Sequence, residues 1–436
     1  MRIGVASDDR GATGVAVFRN GDWVSARVES AASFADHIDS LLRKLRGSGS
    51  TEDDTATSIT IDVSGTLTPQ FTSPVTLVRI SPRHPLDAGQ EMSHAIEPEF
   101  AVDTIHCVGG HTILGEPLLP LDVAGLEKFA CAAPRDSRYV VSSVGSLVNP
   151  AHELQAGHVL LECADPESIE YAHRFSHGSI AVRERTALIN SSLLDEASAM
   201  STTLGVVADR IFPRARLFVT TNDGGSAPIA SLADSPVHSL YAGLPTELIG
   251  AAAISGVDSG GLVVSGQRSF FFGEITEGVP SVIPLHRDAS GLRVATQTAS
   301  LLPVTDTLLS RQRTAPTIVA HGGAEPPDLG ISAHHRSDID IRALGAARVP
   351  RTGWANRVVN VSNATEMNQA LTAARARVEA RLVASGSSPS EIRILESRVI
   401  ATAYQHPRVV SVRVRGVAGE SAETALREAR SHGTHG

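Results

Sequence analysis

The sequence predicts an α/β fold, and three local patterns support this prediction. Short apolar strands alternate along the chain with amphipathic helical segments. In the second half, strands run directly into glycine-rich turns at three places, VTTNDGG, VVSGQRS and TIVAHGG. The chain then presents a long helical segment followed by two alternating strands, RILESRVIATAY and RVVSVRVRGV. Helices packed on a parallel or mixed sheet account for all three patterns.

The first half of the chain begins with a predicted β-hairpin, VASDDRGATGVAVFRNG, at residues 5–21. Residues 33–46 place apolar side chains at helical spacing and therefore predict an amphipathic helix. A polar loop over residues 47–58 leads to the strand SITIDVS. A further strand is predicted in YVVSSVGS, residues 139–146.

The last third of the chain predicts a helix and a pair of strands. Residues 366–386 carry an apolar stripe and end at a glycine that is typical of a helix C-cap. In the second closing strand, valines alternate with polar residues, so that the two kinds of side chain face opposite sides of the sheet.

Length and composition indicate a folded protein of two domains. The chain has 436 residues, which is more than one core usually holds, and 42% of them are hydrophobic. A net charge of −9 argues against a nucleic-acid partner, because such binding needs a clustered basic surface. We find no signal-peptide pattern and no apolar segment long enough to span a membrane. The 3 cysteines form no CxxC pair, and we expect a cytoplasmic protein.

Several segments, in the same order along the chain, resemble motifs of the hydantoinase/oxoprolinase family, specifically its shorter A-type chains. VGGHTILGEPLLPLD is similar to the family's glycine-rich segment ending in PLD, SLVNPAHE to its NPxHE segment, and VRERTALINSSL to its RxxT helix. VTTNDGG is similar to the TQNDG turn, PVHSLYAGLPTELIGAA to the SGPxxxxGA segment, HGGA to the GGGA loop and RALGAA to NAIGAA. These matches extend over most of the chain.

The resemblance implies a two-lobed actin-like ATPase architecture, also called ribonuclease H-like, with a central cleft. We expect one lobe over residues 1–186 and the other over residues 187–436, with the VRERTALINSSL helix as the hinge region. Such enzymes bind ATP and Mg²⁺ in the cleft and phosphorylate the oxygen of a cyclic amide, so that water can open the ring. The resemblance also implies a B-type partner subunit, and a homo-oligomer is the alternative.

The first hairpin departs from the family's phosphate-binding sequence, DxGGTxTD. In the family the aspartate orients Mg²⁺, the glycines bring backbone N–H groups to the phosphate, and the threonine donates a hydrogen bond. Here ASDDRGAT places Ala6 at the aspartate, Asp8 and Asp9 at the glycines, and Arg10 at the threonine. Two carboxylates repel a polyanion unless a metal ion lies between them, and Arg10 offsets part of their charge.

A second hairpin, VVSGQRSFFF, corresponds to the family sequence VVDxGGTTTD. Ser265 replaces the aspartate, and Gly266 is the one glycine that remains. Phe270–Phe272 stand where small hydroxyl residues are expected, and we interpret them as core or lobe–lobe packing. The adenine-side loop, Gly322-Gly323, is the best preserved part of the predicted nucleotide site.

The resemblance assigns candidate roles to residues of the two hairpins and the glycine turns. The candidate catalytic residues are Asp8, Asp9, Asn222 and Asp223. The candidate nucleotide-binding residues are Arg10, Gly11, Thr13, Gly224, Gly225, Ser265, Gly266, Gly322 and Gly323. ATP and Mg²⁺ are the implied cofactors, although Ala6 and Ser265 lack the expected carboxylates, and the metal ligands stay undefined.

Histidine-containing segments offer other candidates. His152-Glu153 with His158, and His334-His335 with Asp338, contain metal-ligand side chains without the HExxH spacing. Because the chain has 17 histidines, we interpret both groups as surface or capping residues. His111 lies in a glycine-rich turn, where a structural and a functional role fit the sequence equally well.

Two functional hypotheses follow. The first is an ATP-dependent hydrolase of cyclic amides, of the hydantoin or 5-oxoproline type. The second is a catalytically silent relative that keeps the fold for assembly or small-molecule sensing. The resemblance favours the first hypothesis. The residues Ala6 and Ser265 favour the second and predict that the first hairpin is vestigial.

Overall fold

A computed structural model describes most of the chain. It covers residues 1–7, 13–19, 22–28, 33–47, 56–69, 75–84, 94–95, 101–265, 269–287, 291–305, 317–320, 333–335, 340–401 and 408–419. The helices within these ranges are α1 (Phe34–Gly47), α2 (Val123–Ala132), α3 (Ala151–Ala164), α4 (Ile180–Ile211), α5 (Gly243–Ser255), α6 (Ile341–Arg348) and α7 (Ala364–Ala384). None of these described helices is both long and apolar enough to cross a membrane.

The strands within the same ranges are numbered in chain order. They are β1 (Arg2–Ser7), β2 (Thr13–Arg19), β3 (Asp22–Val28), β4 (Ser58–Asp62), β5 (Val75–Ser81), β6 (His94–Ala95), β7 (Ala101–Val108), β8 (Arg138–Ser143), β9 (Ser168–Tyr171), β10 (Arg216–Thr221), β11 (Gly225–Pro228), β12 (Gly260–Ser265), β13 (Phe270–Thr276), β14 (Val279–Pro280), β15 (Val282–Ile283), β16 (His286–Arg287), β17 (Arg293–Val294), β18 (Thr298–Ala299), β19 (Leu301–Pro303), β20 (Thr317–Ala320), β21 (Ala333–His335), β22 (Arg351–Asn360), β23 (Ile392–Ala401) and β24 (Val409–Ala418).

The largest sheet has nine strands in the order β23-β24-β22-β11-β10-β4-β1-β2-β3. Strand β1 pairs antiparallel with β2 and parallel with β4, and β4 pairs parallel with β10. Its strands come from both sides of the expected boundary between residues 186 and 187. The division into two lobes therefore stays a prediction.

A second sheet repeats the strand arrangement of the first. Its order is β14-β13-β12-β20-β21, with β12 antiparallel to β13 and parallel to β20. Strand β13 pairs antiparallel with β14, and β20 pairs parallel with β21. The order and directions match β3-β2-β1-β4-β10 of the large sheet strand for strand. The β1–β2 and β12–β13 hairpins therefore occupy equivalent positions in two copies of one arrangement.

A third sheet lies between β4 and β10 in the sequence. Its order is β6-β7-β5-β8-β9, and β7, β5, β8 and β9 are parallel. Apolar side chains of β5 and β8 alternate between two cores, as expected for strands buried on both faces. Val78, Ile80 and Tyr139 pack with α2 and α3 on one face. Leu77 and Val140 belong to the core that includes α1 and α4.

Helices α5 and α6 connect the first two sheets at glycine contacts. A Cβ on Gly4 would lie 2.0 Å from the carbonyl oxygen of Ala343, so only glycine allows β1 to approach α6 this closely. Between the helices, Gly250 faces the carbonyl of Ile341, and Gly345 faces that of Thr246. Helix α5 follows β11 of the largest sheet and packs on β12 of the second sheet. Helix α6 follows β21 of the second sheet and packs on β1 of the largest sheet.

The local predictions agree with most of the described elements. The helix predicted at residues 33–46 is α1, and the helix predicted at 366–386 is α7. The closing strands form the antiparallel pair β23–β24, in which Val410, Val412 and Val414 are buried against α7. Helix α4 contains the predicted hinge segment, whose role as a hinge stays a prediction.

Candidate functional site

The first hairpin places Ala6 in an apolar contact with α6. Ala6 is 2% exposed and packs in one cluster with Ala16, Ala343 and Leu344. The expected metal-orienting carboxylate is therefore replaced by close packing. Asp8, Asp9, Arg10 and Gly11 lie outside the described residues, and their roles stay predictions.

Thr13, the last candidate of this hairpin, contacts a helix on the other side of the sheet. Thr13 is buried, and a hydrogen bond of 3.1 Å joins its Oγ1 to Nδ1 of His37 in α1. Its cross-strand neighbour Ser7 is also buried, and the Ser7 hydroxyl has no hydrogen-bond partner among the described residues. A hydrogen bond from Thr13 to a phosphate stays a prediction.

Asp62 supplies a carboxylate that the sequence analysis missed. It ends β4, lies directly opposite Ala6 in the parallel register and is fully buried. One carboxylate oxygen accepts a hydrogen bond from Arg342 Nε at 2.6 Å, and the other accepts one from the Ser64 backbone N–H at 2.9 Å. Arg342 also donates to the Ser64 hydroxyl. The Asp62 carboxylate is therefore neutralised by a cation from α6.

The second hairpin directs Ser265 toward a carboxyl group on α5. Ser265 donates a hydrogen bond of 3.3 Å to Oε1 of Glu247. The Glu247 side chain keeps some exposed surface, but protein atoms surround its carboxyl group. This desolvation raises the pKa of Glu247 to about 7, against the opposing effect of the Arg342 charge. Gly266 lies outside the described residues.

Glu247 and Arg342 occupy matching positions on the two interlocked helices. Each stands three residues before the glycine of the helix–helix contact, in TELIGAA of α5 and IRALGAA of α6. A Cβ on Gly243, at the start of α5, would lie 2.2 Å from Arg342 Nη2, so the glycine leaves space for the guanidinium. We call Asp62, Glu247, Ser265 and Arg342 the interhelical cluster.

Asn222 lies in the turn after β10, and both polar atoms of its side chain make hydrogen bonds to other segments. Its Nδ2 donates to the carbonyl of Val237 at 2.9 Å and to Thr296 Oγ1 at 3.0 Å. Its Oδ1 accepts from the backbone N–H of Tyr241 at 2.8 Å. Because Asn222 is fully buried, these contacts hold the turn in place. Its candidate catalytic role stays a prediction.

Asp223 joins the same turn to the C-terminal strands. Its Oδ1 accepts a hydrogen bond from Thr221 at 2.6 Å, and its Oδ2 accepts one from Trp354 Nε1 at 2.7 Å. Arg415 Nη2 lies 3.8 Å from Oδ2 and also donates to the Asp223 carbonyl. The carboxylate is buried, and both of its oxygens have partners.

The glycines of this turn make close contacts with neighbouring strands. Gly224 has a φ of +74°, and a Cβ there would lie 2.6 Å from Pro280. A Cβ on Gly225 would lie 2.2 Å from the side chain of Thr352. Their predicted contact with a nucleotide is untested, and Gly322 and Gly323 lie outside the described residues.

Three of the candidates in histidine-containing segments, His111, His152 and Glu153, lie beside the third sheet. His152 and Glu153 are buried, so the interpretation of them as surface residues is wrong. Asp338 and the side chains of His334 and His335 lie outside the described residues. The rings of His111 and His152 lie 4.1 Å apart, and the Gly110 N–H donates to His152 Nδ1 at 2.9 Å. Glu153 is buried and accepts hydrogen bonds from Ser143 N and from His173. His158 is exposed and pairs with Glu162. The described residues contain no group of three side chains arranged to hold a metal ion.

The interhelical cluster does not fit Mg²⁺. Hard divalent cations need several oxygen ligands, of which the carboxylates must be charged. Asp62 is already paired with Arg342, the pKa of Glu247 is raised to about 7, and Ala6 offers no oxygen. The interhelical cluster therefore cannot be assigned as a magnesium site.

Solved structures of two enzymes have similar folds. No family model and no curated protein matches the chain. A nucleotide-free acetone carboxylase, from work on ATP-dependent acetone carboxylation, is 11% identical over 96% of this chain and 88% of its own, with a TM-score of 0.69. This chain has the same fold as that enzyme. An ATP-dependent caprolactamase from Pseudomonas jessenii is 13% identical over 95% of this chain and 87% of its own, with a TM-score of 0.66.

Proposed function

We propose that the protein belongs to the hydantoinase/oxoprolinase group and is an ATP-dependent hydrolase that opens cyclic amides. The observation that carries this proposal is the fold, shared over nearly the whole chain with two proteins whose names include ATP dependence. One of them is named for a cyclic amide, caprolactam. The repeated strand arrangement, with a hairpin at the start of each copy, further supports a two-lobed actin-like architecture.

The proposed reaction activates the amide before water attacks it. The amide oxygen attacks the γ-phosphorus of ATP, a P–O bond forms, and ADP leaves. Water then adds to the activated carbon, and the ring C–N bond breaks as the nitrogen takes a proton and leaves as an amine. A second water hydrolyses the resulting acyl phosphate to a carboxylate and phosphate. Since Ala6 cannot orient a metal ion, Asp8 or Asp9 takes this task in the proposal, and the metal charge offsets their repulsion of the phosphates.

A second candidate function is a catalytically silent relative that serves in assembly or small-molecule sensing. Two observations favour it: Ala6 is packed in an apolar cluster, and Asp62 is paired with Arg342. In this alternative the fold is kept while the hairpin no longer holds a nucleotide.

Nucleotide binding and ring opening separate the two functions. We would titrate the protein with ATP and Mg²⁺ by calorimetry, and assay ring opening of 5-oxoproline, hydantoin and caprolactam. Asp8→Asn with Asp9→Asn should abolish turnover and leave the folding transition unchanged, because turn residues contribute little to the core. Asp53→Asn with Asp54→Asn, another adjacent aspartate pair, is the matched control. ATP affinity that stays level or rises in the Asp8/Asp9 variant, without turnover in either protein, favours the silent relative.

We also propose that the protein works with a B-type subunit, with a homo-oligomer as the alternative. This proposal follows from the family resemblance. Co-purification from the native cell and sedimentation of the purified chain test it. A monomer without any co-purifying protein would count against both forms of assembly.

A further inference from the structure

The carboxyl edge of the third sheet has the topology of a ligand-binding crevice. In the order β7-β5-β8-β9, the chain leaves β5 toward β7 on one side and leaves β8 toward β9 on the other. Open parallel sheets bind ligands beyond the carboxyl ends of two such diverging strands, because the connecting segments separate there. The relevant edge is where β5 ends at Ser81 and β8 ends at Ser143.

Three motif-bearing segments converge at this edge. The backbone N–H of His111, after β7, donates to the carbonyl of Val144, after β8, at 2.9 Å. The Ser143 N–H donates to Glu153, in the first turn of α3, at 2.8 Å. Arg183, in the first turn of α4, reaches the same loop through Ser143 O. Segments far apart in the sequence thus meet at one place in the fold.

Arg183 is a buried cation that makes no direct ion pair with a described carboxylate. It is 3% exposed, and burial lowers its pKa against the opposing charges of Glu153 and Glu184. Nη1 donates to the His177 carbonyl at 2.9 Å, and Nη2 makes long contacts of 3.4 and 3.5 Å to Ser146 and Ser143. Nε has no hydrogen-bond partner among the described residues. A buried charge normally has a partner, because removing an unpaired charge from water is unfavourable. An anion is the missing partner that this guanidinium fits.

The next residue of the same helix shows the usual arrangement. Glu184 is buried and accepts two hydrogen bonds from Arg79, at 2.9 and 2.8 Å. The helix turn therefore contains one arginine–carboxylate pair that is complete and one arginine that is not. Glu153 does not fill this gap, since its oxygens accept from Ser143 N and from the backbone N–H and Nδ1 of His173.

His111 adds a second unpartnered polar group. It is 2% exposed, and Nδ1 has no hydrogen-bond partner among the described residues. Burial lowers the pKa of His111, and burial together with His111 lowers the pKa of His152. Both rings are therefore neutral near pH 7, and a neutral imidazole can donate one hydrogen bond without adding charge. The edge therefore offers one cation, Arg183, and one neutral hydrogen-bond donor, His111.

Two helices begin at this edge and add partial positive charge. Helix α3 follows β8, and α4 begins three residues before Arg183. Neither Pro150 nor Ser179, which precede these helices, makes a side-chain capping hydrogen bond. The first backbone N–H groups of a helix attract anions, and the effect is largest when side chains leave them uncapped.

We propose that the carboxyl edge of the third sheet binds a small oxyanion, with Arg183 as its charge partner and His111 as a hydrogen-bond donor. The shared chemistry is that of a carboxylate or a phosphate group. This site is separate in sequence and in contacts from the two hairpins, and the proposal does not depend on nucleotide binding.

Two inorganic or small organic anions test the site without any nucleotide. We would titrate acetate and phosphate separately at constant ionic strength, and follow the imidazole resonances of His111 and His152 together with the unfolding temperature. Saturable shifts of these resonances and a rising Tm are expected for at least one anion. A response to acetate alone identifies a carboxylate site, and a response to phosphate alone identifies a phosphate site.

Variants make the result specific for Arg183. Arg183→Lys keeps the charge but not the planar fork, and we expect at least about tenfold weaker binding. Arg135→Lys, at an exposed position beside the same sheet, is the matched control and should bind as the wild type does. If Arg183→Lys fails to fold, the anion dependence of the wild-type Tm still tests whether the protein binds an anion. No saturable response to either anion, or equal affinity in the folded Arg183 variant, would overturn the proposal.

Discussion

The first hairpin and the carboxyl edge of the third sheet differ in how their buried polar groups are satisfied. Beside the hairpin, Asp62 is buried, and both of its oxygens have partners within the chain. At the edge of the third sheet, Arg183 and His111 are equally buried, but each keeps one atom without a partner among the described residues. The unpartnered Ser7 hydroxyl beside the hairpin belongs to an uncharged group, whereas Arg183 is a cation. Proteins rarely leave such atoms unpaired, because each one costs free energy on folding.

This difference shows that a strand arrangement can be kept where the side chains expected for its chemistry are absent. The hairpin keeps the strand arrangement expected of a phosphate site, but apolar packing and an internal ion pair fill the place of its carboxylate. The third sheet received no cofactor role from the sequence, and its edge has the polar groups that a ligand would complete. The proposed anion site is therefore argued from unpartnered buried atoms, whereas the predicted nucleotide site is argued from sequence resemblance.

Of all the predictions, we expect the largest change in the free energy of unfolding from a comparison of two buried arginines. Arg79→Met leaves Glu184 buried without its partner and should lower the free energy of unfolding by about 3–5 kcal/mol. Arg183→Met breaks no ion pair among the described residues, so without added anion it should change that free energy by less than about 1 kcal/mol, or raise it. Urea unfolding of both variants at one pH measures the contrast. Equal losses would mean that Arg183 is as fully compensated as Arg79.

Introducing the carboxylate that the DxGGTxTD motif has at this position should damage the first hairpin. Ala6→Asp places a charge in an apolar cluster directly beside Asp62, and we expect a loss of about 2–4 kcal/mol in the free energy of unfolding. Ala6→Ser, which adds a polar atom of similar size without charge, is the control. A stable Ala6→Asp variant that gains Mg²⁺ affinity would contradict the interpretation of this position as packing.

A pH dependence of stability should come from the interhelical cluster. The folded protein holds the Glu247 proton up to about pH 7, whereas the unfolded chain releases it near 4.5. Between these values the folded state binds more protons, so wild-type stability falls as the pH rises through this range. Relative to wild type, Glu247→Gln should gain about 1–2 kcal/mol by pH 8, a value reduced for the partial exposure of the side chain. Glu379→Gln, at an exposed position on α7, should show no such gain.

The smallest effect concerns the hydroxyl that contacts Glu247. Ser265→Ala removes a hydrogen bond of 3.3 Å, and we expect a loss of about 0.5 kcal/mol near pH 8. Because this hydrogen bond favours the charged carboxylate, the Glu247 titration should also move to higher pH. Ser269→Ala, at an exposed position of the same hairpin, controls for the substitution itself. An unchanged titration midpoint would show that Ser265 does not influence Glu247.

Local sequence patterns were sufficient to predict the α/β class and several elements. The apolar spacing in α1 and α7, and the alternation in β24, are properties of contiguous residues, and their bounds agree with the structure to within a few positions. Strand order depends on contacts between distant segments. No local pattern states that β4 pairs with β1, or that α6 lies on the first strand.

The same distinction explains which site residues were missed. Asp62 ends an ordinary strand, and its partner Arg342 follows 280 positions later, so no local motif contains both. Two signals were nevertheless present in the sequence. The segments LIGAA and ALGAA repeat the interlocked glycine helix, and Arg183 follows the apolar residues IAV in a helical segment. A charge inside such a segment indicates a buried partner or a site.

The glycine contact between β1 and α6 also has a consequence for synthesis on the ribosome. Gly4 packs against Ala343, which is added about 340 residues later. At roughly 5–20 residues per second, the first strand waits on the order of 20–70 s for its neighbour. The backbone of β1 pairs with β2 and β4 early, but the face with Gly4 and Ala6 stays exposed during that time. The newly made protein should therefore depend on chaperones, and premature termination before α6 would leave this face uncovered.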